Sequence, residues 1–152
     1  MKLIISLGNP IKSDDNIGNL VLDKLQDVLK KNIENRKGHD NNIVFIRAEI
    51  SPENFFYQIA ELKPDIIYII DAVDFSGSVG EVKLFEYENI LTLPVTTTHT
   101  IPITMLSKFV SFSKIKLIAV QPKEIGVGET LSEELQNKFD VVCGKVKTFV
   151  NN

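Results

Sequence analysis

The chain has 152 residues, 43% of them hydrophobic and 24% charged, a size and mix that suit a single globular domain spanning residues 1–152 with its own core. A formal net charge of -3 leaves no general electrostatic case for nucleic acid or an anionic membrane as partner. Cys143 is the only cysteine, which excludes an intramolecular disulfide and a cysteine-based zinc site and points to a reducing, cytoplasmic setting.

The first apolar run, Leu3-Ile4-Ile5-Ser6-Leu7, reads as a strand stopped by Gly8-Asn9-Pro10, with no signal peptide expected ahead of it. From Ile17 the period changes: Ile17, Leu20, Val21, Leu25, Val28 and Leu29 mark one face of a helix. Ser13, Asp14 and Asp15 stand where its cap and first turn belong, and their charge suits the helix dipole. Residues 31–42 read as a polar, solvated connection that carries His39. An alternating strand follows at Ile43, Val44, Phe45 and Ile46, and Ser51-Pro52-Glu53 then starts a helix, with Ser51 as N-cap and Pro52 first inside. Phe55, Ile59 and Leu62 supply its apolar face until Lys63-Pro64 ends it.

Residues 66–70 are continuously apolar, as in a central strand covered on both faces. Asp71 comes directly after them, and Asp74-Phe75-Ser76-Gly77 reads as a turn. Residues 81–86 alternate like a further strand. After Thr97-Thr98-His99, Pro102 fits the first turn of a helix carrying Met105, Leu106, Phe109 and Val110. Residues 115–120 form another strand, closed by Gln121-Pro122. Thr130-Leu131-Ser132-Glu133 has capping-box spacing, and Leu135, Phe139, Val142, Val146 and Phe149 give one terminal helix an apolar stripe.

This alternation predicts an α/β three-layer sandwich, with a mostly parallel central sheet and helices on both faces. In such sheets ligands bind beyond the carboxyl ends of the strands, near the point where strand order reverses. Asp14, Asp15, Asp71 and His99 all fall in strand-to-helix connections at that edge. Two carboxylates and an imidazole there, with coordination positions left open, suit a divalent metal. Each has a blander use: Asp14 and Asp15 at a helix start, Asp71 and Asp74 in a turn, His99 in a polar loop. Cys143 falls on or beside an apolar stripe and reads as a buried, inert thiol. The chain lacks H-E-x-x-H, G-x-S-x-G, a P-loop and a dinucleotide fingerprint.

At these residues the sequence resembles the hydrogenase maturation endopeptidases, in particular the branch that processes hydrogenase 3-type large subunits. Residues 8–18, from Gly8-Asn9 through Asp14-Asp15 to Gly18, resemble the opening motif of that family. Ser51-Pro52-Glu53-Asn54, Asp71-Ala72-Val73-Asp74 with Gly80-Glu81-Val82, Thr97-Thr98-His99 and Ile118-Ala119-Val120-Gln121-Pro122 resemble the segments that follow, in the same order. Asn16 stands in place of the usual glycine, which asparagine can imitate because it tolerates left-handed backbone. Val79 stands where a proline often precedes Gly80.

The resemblance implies that Asp15, Asp71 and His99 are the metal-contacting and catalytic positions. It also implies an endopeptidase that removes the C-terminal extension of a [NiFe]-hydrogenase large-subunit precursor after nickel insertion. The Ni2+ recognised would be the one already in the substrate. The protein is expected to act as a monomer, with no nucleic-acid partner and no membrane insertion. A non-catalytic chaperone that binds nickel or the large subunit without cutting it would carry the same motifs. Peptidyl-tRNA hydrolases share the strand-G-N-P opening, but they expect a nearby catalytic histidine and a basic face. A flavodoxin-like nucleotide binder would need a phosphate cradle that the first turn lacks.

Overall fold

The computed structural model describes residues 1–35, 42–90, 92 and 100–152. Five strands form one sheet: β1 (Lys2–Leu7), β2 (Ile43–Glu49), β3 (Ile66–Ala72), β4 (Val82–Glu86) and β5 (Lys114–Val120), in the order β2-β1-β3-β5-β4. All neighbouring pairs are parallel except β4 with β5, so the sheet is mixed and mostly parallel. The helices are α1 (Ile17–Asn35), α2 (Phe56–Leu62), α3 (Tyr87–Ile90), α4 (Thr100–Phe109), α5 (Glu133–Asn137) and α6 (Phe139–Asn151).

Strand alternation divides the core into two layers. Leu3, Ile5 and Leu7 of β1, Ile67 and Ile69 of β3, and Leu117 of β5 pack with Phe56 and Ile59 of α2 and Ile103 and Leu106 of α4. Ile4, Tyr68, Ile70 and Ile118 face the other way, onto Ile17, Val21 and Leu25 of α1 and Val142 and Val146 of α6. Burying each of these large side chains contributes roughly 1.5–3 kcal/mol, so both faces of the three central strands must be covered for the sheet to persist. The three-layer α/β arrangement expected from the alternation is therefore present.

Several local expectations change. α1 continues to Asn35, which removes residues 31–35 from the expected connection, and His39 lies outside the described residues. The segments Ser13–Asn16 and Pro52–Phe55 are 3-10 turns leading into α1 and α2, and neither has a side-chain cap. The single terminal helix is two helices broken at Lys138. The expected Thr130 capping box is absent: Ser132 occupies the N-cap of α5, without a side-chain cap bond. Its hydroxyl is used elsewhere, as described below.

The element order has one consequence for function. β2 lies on one side of β1 and β3 on the other, so strand order reverses at the β1/β3 boundary. The carboxyl ends of those two strands are where a ligand crevice opens in a sheet of this kind.

Candidate active site

Leu7 ends β1, and the chain then turns sharply through Gly8, whose φ is +137°. A Cβ at Gly8 would lie 2.0 Å from the main-chain oxygen of Asp15, so only glycine lets the following 3-10 turn fold back onto the strand end. The Gly8 N–H donates to the Glu49 carbonyl at 3.0 Å, tying this turn to the end of β2. The Asn9 N–H donates to Asp15 Oδ2 at 2.8 Å, and the Asp15 residue is 3% exposed. The glycine-asparagine-proline turn thus aims and holds the Asp15 carboxylate.

Beneath that turn lies a buried polar network. Asn19 Nδ2 donates to the Gly8 carbonyl at 2.9 Å and to Asn16 Oδ1 at 2.8 Å, while Ser6 Oγ donates to Asn19 Oδ1 at 2.8 Å. Ser6 faces α1 by strand alternation, which explains a hydroxyl in an otherwise apolar strand. Buried amides satisfied in this way hold one conformation, because any other leaves a donor unpaired. The 3-10 turn Ser13–Asn16 packs against β3.

Gly18 completes the seating. A Cβ there would stand 2.4 Å from the Leu7 carbonyl oxygen and 2.6 Å from that of Ile70. The first turn of α1 therefore rests directly on the carboxyl ends of β1 and β3, and the Ile70 carbonyl immediately precedes Asp71. Asp71 is fully buried and lies inside β3, paired with Ala119, rather than just beyond the strand as the apolar run suggested. Alternation after Ile67 and Ile69 puts Asp71 on the sheet face covered by α2 and α4.

Two of the three residues singled out in the sequence, Asp15 and Asp71, are thus placed at the switch point. His99, with Thr97 and Thr98, lies outside the described residues; α4 begins at Thr100, one residue later. Among the described residues, no three His, Cys, Asp or Glu side chains are grouped to hold a metal ion.

Asp14 serves a different purpose from its neighbour. It is fully buried, and its four donors all come from the segment that follows β5. Oδ1 accepts from the Ser132 N–H at 2.7 Å, and Oδ2 accepts from Ser132 Oγ at 2.8 Å, the Lys123 N–H at 2.8 Å and the Glu124 N–H at 3.3 Å. The expected helix-dipole role of Asp14 gives way to this tertiary one. Asp74 is a turn residue: Oδ1 accepts from the Ser76 N–H at 2.9 Å and from Gln121 Nε2 at 3.1 Å. Those two donors, the Ser76 N–H first, hold the Asp74 carboxyl below its ordinary pKa.

Gln121 is the residue that reading by spacing undervalued. It is buried, and its Oε1 accepts from the Phe75 and Gly77 N–H groups at 2.9 and 3.0 Å, so one amide fixes the whole turn after β3. Its signal was a polar residue at the end of an apolar strand. Backbone strain is present near the carboxyl edge of the sheet: Ser13, Glu49 at the end of β2, and Ser76 have φ of +48°, +51° and +59°. Each non-glycine residue there costs about 1–2 kcal/mol, and such outliers gather at functional sites.

A family model described as hydrogenase maturation protease (HycI) matches residues 11–148, a span that includes Asp15, Asp71 and His99. A Methanocaldococcus jannaschii protein assigned as a hydrogenase maturation protease is 33% identical over 144 residues, covering 91% of this chain and 81% of that one. The hydrogenase 3 maturation protease of Escherichia coli K12 is 23% identical over 152 residues, 99% of this chain and 91% of that protein. In fold, the crystal structure of the [NiFe] hydrogenase maturation protease HycI from Thermococcus kodakarensis superposes with a TM-score of 0.75 at 24% identity, covering 99% of this chain and 92% of that one.

Proposed function

Since this chain belongs to the hydrogenase maturation protease family, we propose that its active site is Asp15, Asp71 and His99, and that these three read a nickel ion held by the substrate. The protein is a hydrogenase maturation endopeptidase. The proposed reaction is removal of a C-terminal extension from a [NiFe]-hydrogenase large-subunit precursor once nickel is in place. The enzyme acts as a monomer, as one domain over residues 1–152, in a reducing, cytoplasmic compartment.

The observation that supports this assignment is that the Asp15 turn and the Asp71 end of β3 share the β1/β3 edge, where Gly18 seats α1 on the Leu7 and Ile70 carbonyls. Asp71 lies on the face that α4 covers, and His99 is the residue immediately before that helix. The donor chemistry also fits. Two carboxylates and an imidazole, with no thiolate, form a weak site for free nickel, yet can complete the coordination of nickel gripped by substrate cysteines. Affinity then depends on the metal being present, and cleavage becomes a test of correct assembly.

In the proposed chemistry, Asp15, Asp71 and His99 engage the metal-bearing end of the substrate and so hold the scissile carbonyl at the sheet edge. A water deprotonated by a carboxylate of the site attacks that carbonyl, and the leaving amine takes up a proton as the peptide bond breaks. Bound nickel supplies charge stabilisation at the carbonyl or anchors the chain. Asp14 and Asp74, whose oxygens are committed to loop N–H groups, orient the surroundings.

The test is mass spectrometry of a large-subunit precursor incubated with the protein, with and without nickel loading. Loss of a C-terminal peptide from the nickel-loaded form alone is expected, and Asp71→Asn should abolish it. Full processing by Asp71→Asn would overturn the site assignment.

A further inference from the structure

We propose that Asp14 is a positioning residue that fastens residues 123–129 beside Asp15 as a wall for the substrate chain. The inference rests on the active-site reading above and adds a surface to it. The segment is tied to the Asp15 turn at both ends: by Asp14 to the Lys123 and Glu124 N–H groups on one side, and to Ser132 on the other. Between them the main chains are zipped together, Ser13 N–H to the Gly128 carbonyl at 2.8 Å and Gly128 N–H to the Ile11 carbonyl at 3.0 Å, as a parallel bridge between Lys12 and Gly128.

What these bonds hold up is not core. Val127 is 94% exposed, Ile125 40% and Ile11 59%. Withdrawing a carboxylate from water is costly unless charge-assisted hydrogen bonds offset it, and here those bonds go to the Lys123 and Glu124 N–H groups at the start of the segment and to buried Ser132 just beyond its end. An energetic commitment of this kind, made next to Asp15, sets where three exposed aliphatic side chains stand. The occupant is an extended stretch of the large-subunit precursor near its cleavage point, because the main-chain bonds at Gly128 join this lip to the turn that carries Asp15. Aliphatic contacts of this kind contribute to ground-state binding and transition-state binding alike, so losing them raises KM and leaves kcat.

The experiment is steady-state processing of nickel-loaded precursor by the full chain, with thermal melts and amide hydrogen exchange of residues 123–128. The double variant Ile125→Ser/Val127→Ser alters exposed side chains only. Its Tm should stay within roughly 2 °C of the parent. KM should rise about tenfold with kcat within about twofold. Ser132→Ala removes one Asp14 contact and should speed exchange across 123–128 and raise KM several-fold, while Ser132→Thr restores both. A parental KM in the double variant would show that the segment holds no substrate. A lowered Tm in Ser132→Ala with parental exchange and KM would make Asp14 a fold staple and nothing more. Asp71→Asn, run in parallel, separates the two readings: full processing by Asp71→Asn sinks the active-site assignment, whereas a KM effect of the wall survives it.

Discussion

Adding one methyl group at Gly18 tests whether the seating of α1 sets the active-site geometry. The Cβ of Gly18→Ala would stand 2.4 Å from the Leu7 oxygen and 2.6 Å from the Ile70 oxygen, while ordinary contacts begin at 3.4 Å. Both oxygens belong to central strands paired on either side, so the strands cannot give way and the helix start must retreat by about 1 Å. Overpacking of this kind costs about 1–3 kcal/mol against a total stability of roughly 5–15 kcal/mol, so the protein stays folded. For a chain of this length Tm should fall by roughly 3–10 °C. The retreat shifts the Asp15 turn relative to the end of β3 that carries Asp71, and at the proposed active site a misplacement near 1 Å costs about a hundredfold in rate. Thermal melts combined with time-resolved mass spectrometry of precursor processing report both quantities. Gly144→Ala is the control: Gly144 is exposed within α6, and a Cβ there meets no atom within 4 Å. That change should stabilise by about 0.5–1 kcal/mol through helix propensity and leave processing unchanged. Parental Tm and rate in Gly18→Ala would refute the reasoning.

Other residues provide independent tests. Lys63 closes α2 with φ +47° and ψ +55°, so Lys63→Gly should raise stability by about 0.5–1 kcal/mol in denaturant melts. Burial first, and then the nearby Asp140, push the Cys143 thiol up from 9.0 to about 11. At pH 8 its alkylation in the folded protein should therefore run about a hundredfold slower than that of a free thiol. Because the folded pKa is raised, the stabilisation tied to the protonated thiol is present below pH 9.0 and is lost as pH rises towards 11, and Cys143→Ala should flatten that part of the stability curve. Gln121→Glu keeps an acceptor for the Phe75 and Gly77 N–H groups but sets a second carboxyl against Asp74. Repulsion and burial raise the pKa of the new carboxyl, so the variant should match the parent below about pH 4 and lose about 1–3 kcal/mol as pH rises above it. Equal stability of the two proteins at pH 7 would contradict the clamp.

The layer order and the strands were legible in the sequence because the signals behind them are local and repeated. The continuous apolar run before Asp71, the alternation in residues 43–46 and 81–86, and Pro52 at a helix start each reflect rules that act within one turn or one strand. The address of Asp15 and Asp71 followed from the same alternation, since parallel strands deliver every following loop to one edge. What short-range spacing could not show was where polar side chains find partners. Asp14 and Ser132 both sit at helix-start positions, yet they bond to each other across 118 residues and cap neither helix. Gln121 reaches back 46 residues to fix a turn that looked self-sufficient. The sequence by itself determined which elements form and to which edge of the sheet the chemistry belongs, because backbone periodicity and apolar burial are written residue by residue. Tertiary structure alone decided that Asp14 is committed to the segment after β5 while Asp15 accepts from the Asn9 N–H of its own turn, because a hydrogen bond satisfies a buried oxygen equally well from any distance along the chain.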